Sequence, residues 1–333
     1  ALHRHWSNAV ATPGATKNAG RAAHAGSMLA IEGEAHALAD RLPDLLIEAI
    51  RVASTVAHGI HGRRRPGLGE TFWQFRQFQT GDAAAQIDWR RSASSDHLYV
   101  REREWEAAHT IWLWPDQSPS MVFRSHLSAT SKADRALVLA LASAELLVRG
   151  GERVALLGLS RPTASRRATT RLAEILAENA DSPVLQESLP PAERLSRFSG
   201  VLLFSDFLDP LEQISERMTF LASNGVTGHM VQILDPAEET LPYQGRTEFL
   251  GMEGGDRWLA DRAEALRPEY QARLRAHRAG LEALAARLGW SLLVHHTDRS
   301  AAEPLLTLIM RLQNSARDYR WVAPAAANPG AAG

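Results

Sequence analysis

The residues of this chain best suited to chemistry lie in Ile111–Met121, IWLWPDQSPSM. A strand-like apolar run leads into Asp116, Ser118 and Ser120, spaced D-x-S-x-S, ahead of a long helical pattern. Hard oxygens gathered in one tight loop suit a small hard cation such as Mg²⁺, which accepts a mixed shell of protein oxygens and water. A site of this kind binds through a metal and needs no nucleophile. Asp and Ser are also favoured caps, so the same residues read locally as hydrogen-bonding partners of the turn.

The elements that must position this loop are legible from hydrophobic pattern. Continuous apolar runs occur at Ile111–Trp114, Val154–Leu159, Val201–Phe204, Met230–Leu234 and Leu292–Val294. Helical patterns near Lys132–Arg149, Thr170–Glu178, Leu211–Ala222 and Ala263–Leu288 alternate with them, and a last helix covers Ala302–Ser315. Apolar strands alternating with helices predict an α/β fold, a doubly wound, mostly parallel, Rossmann-like sheet covered on both faces. Ligands bind such sheets beyond the carboxyl ends of the strands, where the strand order reverses. Asp116 follows the first run and Asp206 follows GVLLFS, so parallel strands bring both acids to one edge; a third acid, Asp235, follows MVQIL.

The N-terminal part differs. Residues from Ala30 to His58 show helical spacing, with Leu42, Leu45, Leu46, Ile50, Val52 and Val56 as its apolar positions. After a basic, Gly-rich link, ETFWQFRQF and HLYVREREW read as antiparallel strands. The expected organisation is an unfolded leader at 1–27 and a helix with a β-rich segment at 28–110. The α/β domain spans 111–318, and a disordered tail 319–333. Met28 lies just before the helical pattern, so the leader reads as an over-extended start or a processed segment.

Lys plus Arg number 37 against 38 for Asp plus Glu, a balance that does not point to nucleic acid. The absence of cysteine excludes disulfides, thiolate metal sites and a Cys nucleophile. No apolar run is long enough to span a bilayer, and the N-terminus lacks the apolar core of a secretory signal. A cytoplasmic protein is expected.

The run FWQFRQFQTGDAAAQIDWRRSASSDHLYVREREWE, followed closely by PDQSPSM, resembles the bacterial family catalogued as domain of unknown function 58. The usual elements of that family match Thr71-Phe72 to Phe78, Gly81-Asp82, Ile87-Asp88-Trp89, Ser92-Ala93 and Val100-Arg101-Glu102. GERVALLGL, SDFLDP, HMVQILDPAEE and the helix reaching ARLGW also match, so the resemblance covers roughly Glu34 to Leu312. Two departures stand out: Pro115 precedes Asp116 where an aliphatic residue is usual, and GDAAAQIDW lacks an acid and an Arg of the usual pattern.

The resemblance implies a von Willebrand factor A-like domain behind the β-rich segment, and association with MoxR-type AAA ATPases. In von Willebrand A domains a metal-ion-dependent adhesion site takes D-x-S-x-S, a Thr from a second loop and an Asp from a third. By that likeness Asp116, Ser118 and Ser120 are the first part, Asp206 the third, and Thr169 or Thr170 the second. The implied cofactor is Mg²⁺ or Mn²⁺, with one position open to a carboxylate of a partner. The function expected is an adaptor or co-chaperone for the ATPase, with no enzymatic activity. The alternatives are a metal-independent scaffold of the same fold and a divalent-metal hydrolase.

Other motifs are weaker. There is no P-loop and no G-x-S-x-G elbow. An aspartyl nucleophile of the phosphatase type would want an acid where Ser118 stands. His295 and His296 follow an apolar strand and read as packing or edge residues, and His58 and His61 are too isolated for zinc. Arg63–Arg65 reads as a solvated link, and Gly67–Gly69 lacks the rest of a dinucleotide fingerprint. Trp89 reads as a core plug beside a capping Asp88, or else as an exposed partner anchor.

Overall fold

In the stretch TIWLWP, alternate side chains serve opposite sides of a sheet. Ile111 and Leu113 join one apolar cluster, Trp112 and Trp114 the other, and all four are buried. Such a strand tolerates no polar position, which is why it reads as an unbroken apolar run. The structure is a computed structural model; it describes residues 9–12, 25–61, 73–78, 87–93, 95, 97–103, 109–180, 182–197, 199–251 and 257–319.

The chain opens with β1 (Ala9–Thr12), α1 (Ala25–His61), β2 (Trp73–Gln77), α2 (Trp89–Ser92) and β3 (Tyr99–Arg103). The α/β part follows with β4 (Thr110–Pro115), α3 (Lys132–Arg149), β5 (Arg153–Leu156), α4 (Ala168–Glu178), α5 (Pro183–Gln186), β6 (Gly200–Ser205) and α6 (Leu211–Leu221). It ends with β7 (Thr227–Leu234), α7 (Pro236–Thr240), β8 (Thr247–Gly251), β9 (Arg257–Ala260), α8 (Ala263–Leu288), β10 (Ser291–His296) and α9 (Ala302–Tyr319). Among the described residues no helix is long and apolar enough to cross a membrane.

The central sheet has the order β10-β7-β6-β4-β5, and every pairing in it is parallel. The chain builds outward from β4 in both directions, so the order reverses between β5 and β6, on either side of β4. That is the position where a doubly wound sheet opens a crevice at its carboxyl edge. One face packs on α3, α4 and α9 through residues such as Leu137, Leu172 and Leu305. The other packs on α6 and α8 through Ile214, Met218, Leu281 and Leu284. Gly228 of β7 lets Trp290 lie flat on the strand: a Cβ there would stand 2.1 Å from the indole ring.

Several boundaries differ from the sequence reading. The first helix is not confined to a separate N-terminal segment. Leu42, Leu45, Ala49, Val52, Ala53 and Val56 belong to the same buried cluster as α3, α4 and α9. Arg41 also reaches Asp134 of α3, at 2.7 Å. Helix α1 thus forms an outer cover of the α/β layer. Within the leader expected to be unfolded, Ala9–Thr12 pairs antiparallel with β8. With β9 these strands form a three-stranded sheet between α7 and α8, closed by Leu241, Phe249, Ala260 and Ala263. The expected antiparallel strands are present as β2 and β3. The Gly81-Asp82 pair, Arg63–Arg65, Gly67–Gly69 and the tail beyond Tyr319 lie outside the described residues.

The role of α1 is testable. Leu42 is 4 % exposed and Ile47 is 65 % exposed on the same helix. Leu42→Ala is expected to cost about 2–5 kcal/mol, as for a core truncation, and Ile47→Ala under about 0.5 kcal/mol. Urea unfolding of both variants measures the difference.

Candidate cation site at the carboxyl edge

Beyond β4 the chain turns sharply, and the turn is held by the carboxylate it contains. Asp116 Oδ1 accepts from the Ser118 N–H at 2.8 Å, and Oδ2 accepts from Ser205 Oγ at 2.6 Å. The turn-holding role read from the sequence falls to Asp116, whereas Ser118, at the start of the following 3-10 turn, makes no side-chain cap bond. Ser118 Oγ lies 3.2 Å from Ser120 Oγ, and Ser120 Oγ donates to Asp206 Oδ2 at 3.1 Å. Asp116, Ser118, Ser120 and Asp206 thus converge at the switch point between β4 and β6. Pro115 does not disturb the strand end, because the Asp116 N–H still donates to the Phe204 carbonyl at 2.9 Å.

Asp206 is held from behind. Its Oδ1 accepts from the Leu208 N–H, and its carbonyl accepts from Gln232 Nε2 at 2.9 Å. Phe207 adopts φ 49°, a left-handed conformation costly for a non-glycine residue. Ser205 Oγ accepts from its N–H, and His277 Nε2 donates to its carbonyl. Strain of this kind persists only where the surroundings hold it, and such positions cluster at functional sites.

Lys132, Glu238, Ser125 and Ser205 of the site carry no role in the sequence reading above. Lys132 is 1 % exposed; its Nζ donates to Asp206 Oδ2 at 2.8 Å and to Glu238 Oε1 at 2.5 Å. Glu238 Oε2 in turn accepts from the Asp235 N–H, completing a capping box at the start of α7. Asp235 receives Ser125 of the 119–131 segment through both its N–H and its Oγ. That segment therefore runs from β4 across β6 to the end of β7. Legible signals existed: a lysine in the first turn of α3 stands against the helix dipole, and D-x-x-E is a capping-box pattern.

The electrostatics follow from burial. Asp116 is pushed well above the usual carboxylate range by burial and by the Asp206 charge, with hydrogen bonds from Ser205 and Ser118 opposing. Glu238 is raised by burial and by Asp206, against the pull of Lys132. Burial alone would lower Lys132, but Asp206 and Glu238 outweigh it and hold the ammonium above its ordinary value. Two carboxylates, Asp206 and Glu238, thus share one ammonium.

The oxygens of Ser118, Ser120 and Asp206 are of the type a small divalent ion takes, at separations that also serve the hydrogen bonds they make here. An octahedral Mg²⁺ about 2.1 Å from its ligands sets neighbouring oxygens about 3.0 Å apart. The Ser118–Ser120 and Ser120–Asp206 separations of 3.2 and 3.1 Å match that edge. Among the described residues no three acidic or imidazole groups are arranged to hold a metal, so the serine hydroxyls would be indispensable ligands. The expected open position is closed in this conformation: Asp116 and Ser118 are fully buried, Ser120 is 3 % exposed and Asp206 2 %.

Neither threonine reaches the site. Thr163 pairs back along β5 with Val154, so the chain returns toward the amino edge before α4 begins. Thr169 there donates to Glu145 at 2.7 Å, thirteen residues along α3 from Lys132, or about 20 Å of helix. Thr170 is exposed. His295 is buried and held low, at about 3, by burial and by Arg135, while His296 pairs with Glu239. Trp89 is 63 % exposed, contrary to the core-plug reading. In the single turn of α2 the inward side is taken by Asp88 and Ser92, whose Oγ donates to the Asp88 carbonyl, and Trp89 faces out.

Removing the internal cation is expected to cost more than removing a hydroxyl. Lys132→Ala leaves two carboxylates without their partner and should destabilise by about 3–5 kcal/mol. Ser120→Ala should cost about 1–3 kcal/mol. Denaturant unfolding in chelator compares them.

The relatives agree in extent more than in meaning. Uncharacterized protein Rv1480 of Mycobacterium tuberculosis and uncharacterized protein Mb1516 of Mycobacterium bovis are each 27 % identical over 290 residues, 83 % of this chain and 90 % of theirs. The crystal structure of the conserved hypothetical protein BatB from Bacteroides thetaiotaomicron aligns with 62 % of this chain and 100 % of its own, at 14 % identity and a TM-score of 0.36. The sequence profile described as Protein of unknown function DUF58 matches residues 74–280, more than half of the chain, and the chain belongs to that family.

Proposed function

We propose that this chain is a non-enzymatic protein-interaction module with a von Willebrand factor A-like sheet, acting as an adaptor for a MoxR-type AAA ATPase. In this reading a divalent cation, Mg²⁺ or Mn²⁺, is held by Ser118, Ser120 and Asp206, with Asp116 ordering the loop. The observation that carries it is the row of oxygens from Ser118 through Ser120 to Asp206 at the switch point of the sheet. When bound, the ion neutralises the carboxylates and stiffens the loop. The chain's own residues do the rest: Asp116 fixes the turn, and the 119–131 segment presents a surface.

Burial of the oxygens favours docking on the rim above them over direct ligation by a partner. Val122 and Leu127, on the same segment, are 47 % and 41 % exposed. Apolar side chains at the rim supply the area that a stable interface needs, which one ligand bond does not. A cation under the loop would then act on docking by holding the loop in place. The metal-independent scaffold is the second reading. It is favoured by the Lys132 ammonium, which already neutralises Asp206.

A pull-down with a MoxR-type ATPase encoded beside this chain tests the proposal. Recovery is expected with Mg²⁺, and to fall at least tenfold with excess chelator or in Val122→Asp/Leu127→Asp. Equal recovery with and without chelator supports the scaffold; no recovery in either condition removes the partner.

A further inference from the structure

Lys132 is the residue at this edge that the proposed function does not use. It stands at the first position of α3, where the positive end of the helix dipole opposes an ammonium. A lysine so placed usually turns its charge out to water. Here it turns inward, 1 % exposed, with Nζ over the Phe123 ring, 5.9 Å from its centroid. Its two carboxylate partners lie on separate elements, Asp206 after β6 and Glu238 in α7.

The oxygen that Lys132 takes matters most. Asp206 Oδ2 accepts from Lys132 Nζ and also from Ser120 Oγ. It is the oxygen that completes the row with the two serines. A tethered cation therefore already sits on the carboxylate through which a free divalent ion would join Ser118 and Ser120. Glu238 offers the ammonium a second place. Its Oε1 receives Nζ at 2.5 Å, while its Oε2 is pinned by the Asp235 N–H at 2.8 Å.

We propose that Lys132 is a built-in competitor that sets the affinity of this site for divalent ions; the inference rests on the cation reading above. The ammonium meets the charge requirement of Asp206 from within the chain. An entering ion must share Asp206 Oδ2 with it or displace it onto Glu238. Like charges brought this close in a buried site repel strongly, so the lysine weakens binding and favours ions that are abundant or strongly held. Lys132 is by this argument an affinity-determining residue and not a ligand.

The test titrates Mn²⁺ alone, with free ion counted by electron paramagnetic resonance, into three proteins: wild type, Glu238→Gln, and Lys132→Met/Glu238→Gln. The double variant removes one buried charge of each sign together, which costs far less than breaking the pair. Gln also preserves the capping box. The double variant is expected to bind Mn²⁺ at least tenfold more tightly than wild type. Glu238→Gln, which leaves the ammonium to Asp206 alone, is expected to bind no more tightly than wild type. Equal affinity in wild type and the double variant overturns the inference and leaves the cation reading standing. Failure of the folded double variant to bind Mn²⁺ overturns both. If the double variant does not fold, Lys132→Gln/Glu238→Gln, which also removes one charge of each sign, serves in its place, with the same tenfold gain expected and an unchanged affinity overturning the inference.

Discussion

Burying carboxyl groups requires hydrogen-bond donors or positive charge, and the carboxyl edge of this sheet is organised around that requirement. Parallel strands β4 and β6 end side by side, so the acids that follow them, Asp116 and Asp206, are driven together. Each would be costly to bury alone. Asp116 is met by the hydroxyl of Ser205 and the backbone of Ser118, and Asp206 by Ser120 and the ammonium of Lys132. The lysine reaches Asp206 because α3 starts at the same edge, and Glu238 gives the ammonium a second partner. What looks like a loop motif is the visible end of a network joining β4, β6, α3 and α7.

The same network links the site to the surface. Asp206 is bound to Lys132, Lys132 to Glu238, and Glu238 to the backbone of Asp235, whose carboxylate anchors Ser125. Ser125 belongs to the segment that turns Val122 and Leu127 to solvent. A change of charge at Asp206 is therefore two side chains away from the anchor of the exposed rim. The rigid part of the arrangement is the sheet, buried on both faces. The part that charge can act on is the loop held by the Ser120–Asp206 and Ser125–Asp235 pairs.

Much of this was legible because buried parallel strands leave unbroken apolar runs. All five central strands and the helix Ala263–Leu288 were found that way, and the convergence of Asp116 with Asp206 followed from strand direction alone. The strands β8 and β9 were not found, since each is short and mixes polar with apolar residues. The two threonines were misplaced because the stretch after β5 doubles back through Thr163, a turn that no local pattern announces. Lys132 was passed over because a lysine beside a helix cap reads as a solvated charge; only the tertiary placement of Asp206 and Glu238 pulls it inside. Residue type alone favours a core place for Trp89, whereas in a one-turn helix its neighbours Asp88 and Ser92 take the inward side.

The central claim is that the oxygen row from Ser118 to Asp206 is a cation site with Lys132 as its resident positive charge. Crystals grown with Mn²⁺, measured at the manganese absorption edge, test it most directly. The account requires an anomalous peak within about 2.5 Å of Ser118 Oγ, Ser120 Oγ and an Asp206 carboxylate oxygen, with Lys132 Nζ drawn toward Glu238. Crystals showing no peak there at millimolar Mn²⁺, with Lys132 still on Asp206, would contradict it.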